Sequence, residues 1–259
     1  MSAPLTLAVT ELGAGAPVVV LHGLLGRGRN WLSVARALAE SQALWLADLR
    51  NHGASPWSDE MDYAAMAGDV ARLIQGLGQG PVTLIGHSMG GKVAMTLAAT
   101  QPELLARLVV VDIAPVDYRH GYEDFVRAML AVDLGTRRSR AQVDAALAQP
   151  IPDPAMRAFL LQNLASTADG LAWQPNLEVL LRQMPLLTGF PAQAEPAPFA
   201  GPAWCLRGAR SDYVEPAGEA ALRRLFPRIE IATVADAGHW PHAEQPAAFT
   251  ALLARALAG

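Results

Sequence analysis

A serine lies between a short apolar run and a helical pattern, in the segment that reads VTLIGHSMGG around Ser88. Residues 82–85 are typical of a buried strand, and the chain after Met89 has the composition of a helix. Such a turn is a nucleophile elbow, in which strained backbone geometry holds the serine hydroxyl clear of the sheet. Gly86 and Gly90 fit this interpretation, because strand and helix pass too close there for side chains. We therefore predict that Ser88 is a nucleophile.

Apolar strand-like runs alternate with helical patterns over much of the chain. Residues 5–9 predict an edge strand, and further strands are expected at residues 18–21, 43–47, 82–85, 108–111, 203–206 and 230–234. Helical patterns are found at residues 31–40, 64–77, 219–226 and 246–257, and after Met89. This alternation predicts an α/β fold, in which βαβ units build a mostly parallel central sheet flanked by helices.

The alternation stops at residues 114–202, where helical patterns occur without a convincing strand. A stretch of about 90 residues between two strands is too long for an ordinary connection. We expect it to form a helical cap, closed by a proline-rich linker at residues 191–198, over a hydrolase-type core of residues 1–113 and 203–259. The helices of this cap are expected at residues 122–131, 140–148, 155–164 and 177–184.

A serine hydroxyl reacts at neutral pH only when a base takes its proton and a third group orients that base. In hydrolases of this architecture the chain order is serine, acid, histidine, so the base is expected after the last strand. His239 lies there, in the segment ADAGHW, and the glycine before it allows a tight loop. We predict that His239 is the base.

The other histidines have structural interpretations. His22 follows a strand and is expected to shape its loop by hydrogen bonding, with a place in the substrate pocket as the alternative. We expect His87 to pack away from the site. His52 is expected to stabilise a loop, with contact to the substrate as the alternative. His120 and His242 are expected on the surface or on the cap.

Two aspartates compete for the role of the acid. The usual place is the turn after residues 203–206, where the common pattern sets the acid three residues before Val214; that position is Ser211, and Asp212 lies one residue further on. Asp112 ends the strand at residues 108–111, and strand ends of a parallel sheet open on the face that carries the active site. We favour Asp112 and keep Asp212 as the alternative.

Acyl transfer also needs hydrogen-bond donors for the oxyanion. The backbone N–H of Met89 follows the nucleophile, and that of Leu24 lies in the loop after an early strand, so these two are the expected donors. Lys92, after the glycines of the elbow, is expected to be solvated on its helix, with contact to a charged leaving group as the alternative. Candidate residues of the substrate pocket are His22, Tyr118, Met129 and Trp240.

Composition and charge exclude several classes of function. A net charge of −4 gives no reason to propose a nucleic-acid partner. No apolar run approaches the roughly 20 residues of a membrane span, and the start of the chain lacks the features of a secretory signal. The single cysteine, Cys205, fits a reducing compartment, and we expect a cytoplasmic protein. Cysteine and histidine spacings suggest no metal site. A monomer and a homodimer are both left open.

The chain resembles the α/β-hydrolase superfamily over essentially its full length. The segments LHGLLGRGRNW and LIGHSMGGKVAM are common in the superfamily, whereas DLRNHG, GHSMGGK and DIAPVDY are more specific to the YbfF-type esterase and thioesterase branch. The resemblance implies hydrolysis of carboxylic esters or acyl thioesters without metal or organic cofactor. It also implies an acid at Asp112 and none at Ser211, although Asp212 beside that position is a departure.

The leading hypothesis is therefore a serine ester hydrolase that works through an acyl-enzyme. One alternative keeps the same triad for C–C bond, lactone or perhydrolase chemistry. Another is a protein of this fold that binds a small ligand under the cap with little turnover.

Overall fold

The computed structural model describes residues 3–119, 122–137, 139–191 and 199–258. In chain order, the strands of these residues are Val9–Leu12 (β1), Ala16–Leu21 (β2), Gln42–Ala47 (β3), Val82–His87 (β4), Leu105–Val111 (β5), Leu164–Thr167 (β6), Gly170–Trp173 (β7), Ala203–Gly208 (β8) and Ile229–Val234 (β9). A central sheet of seven strands has the order β1-β3-β2-β4-β5-β8-β9. Strand β1 is antiparallel to β3, and all other pairs in this sheet are parallel, which confirms the predicted α/β class.

Helices cover both faces of the central sheet. They are Leu32–Leu38 (α1), Tyr63–Leu77 (α2), Met89–Thr100 (α3), Tyr122–Leu130 (α4), Arg140–Leu147 (α5), Pro154–Leu161 (α6), Leu177–Thr188 (α7), Pro216–Leu225 (α8), Pro241–Glu244 (α9) and Pro246–Ala258 (α10). Val18 and Val20 of β2 pack in one buried cluster with Phe249 of α10, while Val19 and Leu21 pack in a second cluster with α2 and α3. A strand buried on both faces reads as a continuous apolar run, as β2 does. None of the helices in the described ranges is both long and apolar enough to cross a bilayer.

The edge strand lies further along the chain than predicted. Residues 5–9 were expected to form it, but β1 begins only at Val9. Two backbone N–H groups before it are taken by side chains: Leu5 donates to Asp69 at 2.6 Å, and Ala8 donates to Ser55 at 2.8 Å. These side chains replace the partner strand, so the apolar residues there do not enter the sheet.

The segment between β5 and β8 contains a hairpin that the sequence did not predict. Strands β6 and β7 pair antiparallel, with Thr167 opposite Gly170. Each strand has four residues, and of these eight only Leu164 is buried. The sequence therefore contains no buried apolar run that would predict these two strands. The helix predicted at residues 155–164 accordingly ends at Leu161. Four helices, α4 to α7, complete this cap; its exact limits stay a prediction, and the expected linker lies almost wholly outside the described residues.

A buried ion pair fastens the loop after β3 to α2. Nε of Arg50 lies 2.7 Å from one carboxylate oxygen of Asp69, and a terminal nitrogen lies 2.8 Å from the other. Arg50 also donates to the carbonyls of Glu60 and Ala65, at 3.0 and 3.1 Å. Both charged side chains are fully buried. The pair is therefore desolvated, but additional hydrogen bonds support it, the condition under which a buried ion pair is tolerated.

We expect Asp69→Ala to lower the free energy of unfolding by roughly 3–5 kcal/mol, because Arg50 would stay buried without a counter-charge. Urea unfolding followed by circular dichroism measures this change. The matched control is Asp59→Ala, since the 2.8 Å contact between Asp59 and Arg182 is exposed and exposed pairs contribute little. Equal losses in the two variants would contradict the assignment.

Candidate active site

The backbone is strained at Ser88, where β4 passes into α3. Its φ of 51° and ψ of −118° lie outside the regions that non-glycine residues favour, and its N–H donates to the carbonyl of Val111 at 3.0 Å. A Cβ at Gly86 would lie 2.2 Å from the carbonyl oxygen of Gly90, so strand and helix do pass too close for a side chain. At Gly90 the obstacle is different: a Cβ would lie 2.5 Å from the carbonyl oxygen of His22, in the loop after β2.

Side chains from three parts of the chain form a hydrogen-bonded row beside this turn. Nε2 of His239 lies 3.0 Å from Oγ of Ser88, and Nδ1 lies 2.8 Å from Oδ2 of Asp112. Asp112 follows β5 with a φ of 50° and is fully buried. Its carboxylate also accepts from the N–H of Gly208 at 2.9 Å and from the hydroxyl of Ser211 at 2.5 Å. The acid is thus fixed through both oxygens, and it orients the imidazole toward Ser88.

The geometry distinguishes the two candidate acids. Asp212 is exposed, whereas Asp112 makes the carboxylate contact of His239. Ser211, at the place where the common pattern sets the acid, donates to Asp112 instead. The structure therefore brings Ser88, His239 and Asp112 together and leaves Asp212 outside this row.

Sequence reasoning missed Tyr213. Its ring stacks on the imidazole of His239, with centroids 3.7 Å apart and planes inclined by 17°. Burial raises the pKa of Tyr213 to about 12, so the phenol is neutral at physiological pH. Tyr213 directly follows Asp212, a candidate acid, and this neighbourhood was the only hint in the sequence. The local pattern does not show that the ring of Tyr213 contacts His239. The stack restricts the ring plane of His239.

Two buried histidines hold the loops beside the elbow. Nδ1 of His22 donates to the carbonyl of Gly23 at 2.8 Å, and Nε2 accepts from the N–H of Leu49 at 2.9 Å. His52 accepts the N–H of Leu25 at 3.1 Å in the same way. Burial lowers the pKa of His22 to about 4 and that of His52 to about 3, so both rings are neutral. These contacts agree with the loop-shaping roles expected for them.

His87 and His242 pack beneath the row. His87 donates to the carbonyl of His239 at 2.7 Å, and its ring lies 4.8 Å from that of His242. The surface position expected for His242 is wrong: its ring stacks on Trp31 at 4.4 Å and also meets Phe249 of α10. The reason is that α10 folds back over the short helix α9, and burial lowers the pKa of His242 to about 3. His120 lies outside the described residues.

A small cavity of about 20 Å³ adjoins Ser88. Both residues expected to supply oxyanion donors line it, Leu24 from the loop after β2 and Met89 from the start of α3. Met89 is the first residue of its helix, where backbone N–H groups have no acceptor within the helix. Around them the cavity is lined by Tyr63, Lys92, Ile113, Tyr118, Tyr122, Leu187 and Tyr213.

The expected pocket residues are not all at this cavity. Tyr118 lines it, but His22, Met129 and Trp240 are not among its described lining residues. Met129 is buried within the cap, where its carbonyl accepts from Trp173 at 3.0 Å. His22 is used by the loop contacts above. Trp240 lies against Phe159, in a separate groove of about 460 Å³ between α6 and α9.

The expectation that Lys92 is solvated on its helix is wrong. The residue is buried, with 1% of its surface exposed. The face of α3 that follows the elbow is covered by the end of α7 and by residues 116–118, whose carbonyls accept from the amine. Burial lowers the pKa of Lys92 to about 7. Lys92 is among the residues that line the cavity at Ser88.

Candidate metal ligands are scattered. In the part of the chain that the structure describes, no group of three or more His, Cys, Asp or Glu side chains is arranged to hold a metal ion. Cys205 is buried in β8, and burial raises the pKa of its thiol to about 12. A thiol of this kind is inert as a nucleophile, because the thiolate is the reactive form.

Comparison with known proteins places this arrangement in a family. The family model of the alpha/beta hydrolase fold matches residues 16–246. The sn-1-specific diacylglycerol lipase ABHD11 of Mus musculus is 39% identical over 255 residues, which cover 95% of this chain and 82% of the lipase. Esterase YbfF of Escherichia coli is 36% identical over 246 residues, which cover 93% of each chain.

The solved structures give the same result. A marine microorganism esterase superposes with a TM-score of 0.94 at 33% sequence identity, and the match covers 97% of this chain and 99% of that one. With the family model and the relatives each spanning most of its length, the chain belongs to the α/β-hydrolase family, in the branch of the YbfF-type esterases.

Proposed function

We propose that this protein hydrolyses carboxylic esters through an acyl-enzyme formed on Ser88. The observation that carries the proposal is the row of contacts from Ser88 through His239 to Asp112, at 3.0 and 2.8 Å, on a strained turn. The names of the relatives support the same chemistry, since they include an esterase and a diacylglycerol lipase.

The first half of the reaction forms the acyl-enzyme. Oγ of Ser88 attacks the acyl carbon while Nε2 of His239 takes its proton. Asp112 keeps the remaining N–H of the ring on Nδ1 and stabilises the imidazolium that forms. The backbone N–H groups of Leu24 and Met89 hold the oxyanion, and one such donor typically contributes about a hundredfold or more to turnover. His239 then protonates the leaving alcohol.

The second half repeats these steps with water as the nucleophile. His239 takes a proton from the water, the oxyanion forms again in the same place, and Ser88 leaves as the restored hydroxyl. A thioester would pass through the same acyl-enzyme with a thiol as the leaving group, so acyl-CoA is an appropriate parallel substrate. A protein that only bound its ligand would need neither the strained serine nor the oriented imidazole.

We expect Ser88→Ala to lower kcat for p-nitrophenyl acetate by about a thousandfold or more, because the acyl-enzyme can no longer form. Stopped-flow or steady-state release of p-nitrophenolate measures this loss. In wild type, a fluorophosphonate should also phosphonylate Ser88 once, with loss of fluoride, and mass spectrometry detects this adduct. Unchanged turnover in the variant would contradict the proposal.

The two aspartates provide a matched pair of variants. Asp112→Asn should lower kcat by about 10⁴-fold, because an amide favours the wrong tautomer of His239. Asp212→Asn should change it little, since that side chain is exposed and outside the row. If only the Asp212 variant lost its activity, the assignment of the acid would be wrong.

A further inference from the structure

The end of α7 is held to the core by side chains of α2 and α3. The hydroxyl of Tyr63 donates to the carbonyl of Leu187 at 2.6 Å. The amine of Lys92 donates to the carbonyls of Thr188 and Gly189, at 2.9 and 2.6 Å. Three consecutive carbonyls at the end of a cap helix thus have their donors on the core.

The same amine reaches the segment by which the chain enters the cap. Its third contact, at 2.9 Å, is with the carbonyl of Val116. That segment is joined to the end of α7 by two further bonds: the N–H of Tyr118 donates to Thr188 at 3.0 Å, and the N–H of Phe190 donates to the side chain of Asp117 at 2.8 Å. We call residues 116–118 and 187–190 the core–cap junction.

The core–cap junction forms one wall of the cavity at Ser88. Tyr118 and Leu187 line that cavity, as do Tyr63 and Lys92, which hold the junction in place. The free volume is about 20 Å³, and one water needs roughly 10–15 Å³. The space next to Ser88 therefore holds one or two groups of the size of a water molecule. An acyl chain that extends from Ser88 toward the core–cap junction would meet Leu187.

The ammonium group of Lys92 matches the number of carbonyls that it contacts in the core–cap junction. An ammonium group has three N–H donors around one atom, and each meets one of the three carbonyls; a planar guanidinium could not match that arrangement. The Tyr118 ring lies 4.6 Å from the amine and adds a favourable cation–π contact. Lys92 is also the only lysine of the chain, in which Lys and Arg together number 20.

We propose that Lys92 and Tyr63 determine acyl specificity by holding Leu187 against the cavity, so that the enzyme prefers esters of short acyl groups. This inference rests on the proposed ester hydrolysis at Ser88. It places the acyl group against the core–cap junction.

The first test is a chain-length series of p-nitrophenyl acetate, butyrate, hexanoate and octanoate. For wild type, we expect kcat/KM for hexanoate to be at least about tenfold below that for acetate. Leu187→Ala should raise the hexanoate-to-acetate ratio by about tenfold, because it enlarges the cavity by three carbons. Leu186→Ala, on the exposed neighbouring residue of the same helix, is the control and should leave the ratio unchanged.

The second test removes the hydrogen bonds that hold the core–cap junction and leaves Leu187 unchanged. Lys92→Met and Tyr63→Phe keep most of each side chain but remove the donors to α7, and both should raise the same ratio. Thr100→Ala, at the other end of α3, is the control for a general effect on that helix. A ratio measured on one preparation does not depend on how much of the protein is folded, so loss of stability alone cannot produce the result.

The ratio should also depend on pH in wild type. Above its pKa of about 7, Lys92 is a neutral amine with two N–H donors, so one of the three carbonyls loses its partner. The groups that face the amine are Asp117, whose charge favours the ammonium, and Tyr63 and Tyr118, whose pKa values are raised by burial so that both stay neutral. The hexanoate-to-acetate ratio should rise from pH 6 to pH 8 in wild type and stay constant in Lys92→Met. The pH dependence of the base cancels because both esters share it.

The outcomes separate the inference from the proposed function. Turnover of no ester by wild type, with no acylation of Ser88, would overturn the proposed function. Turnover that depends on Ser88 but is equal for acetate and octanoate would overturn the inference alone. A ratio that rises in Leu187→Ala but stays fixed in Lys92→Met and Tyr63→Phe would overturn the role of these two residues.

Discussion

The site depends on the register of three neighbouring parallel strands. His87, the last residue of β4, pairs with Val111 of β5, and Val111 pairs with Leu206 of β8. Each next residue continues the ladder at the edge of the sheet, since Ser88 donates to Val111 and Asp112 donates to Leu206, both at 3.0 Å. Ser88 and Asp112 leave their strands with positive φ, at 51° and 50°. A slip by one residue would turn every side chain of a strand to the other face and separate Ser88 from Asp112.

Much of the fold and of the candidate site could be predicted, because the sequence patterns that indicate them are local. The strand, serine and helix around Ser88 are contiguous, and His239 follows the last strand in the order that the architecture requires. Asp112 could be chosen because strand ends share one edge of a parallel sheet. The contacts of Lys92 and Tyr213 could not be predicted. Lys92 bonds to carbonyls 24, 96 and 97 residues away, and Tyr213 stacks on a ring in another loop. The short strands β6 and β7 are mostly not buried, so their sequences lack the apolar pattern by which a strand is predicted.

Buried polar side chains fix the backbone on both sides of Ser88. On the side of the expected oxyanion donors, Leu25 has a φ of 58°; its N–H meets His52, and its carbonyl accepts from Asn163 of the cap at 2.7 Å. On the other side, Lys92 and Tyr63 hold the core–cap junction. In each case the side chain pairs a backbone group that would otherwise be unpaired in the interior, and the contact restricts the loop beside Ser88. Two of the contacts between cap and core therefore flank Ser88.

The single lysine has a practical consequence. A sample grown with isotope-labelled lysine contains one labelled side chain, and that side chain lies in the wall of the Ser88 cavity. Its methylene resonances next to the amine would report ionisation and displacement of this wall without overlap from any other residue. The enzyme thus carries a site-specific spectroscopic probe at the place where its substrate is expected, and no amino acid has to be changed to install it.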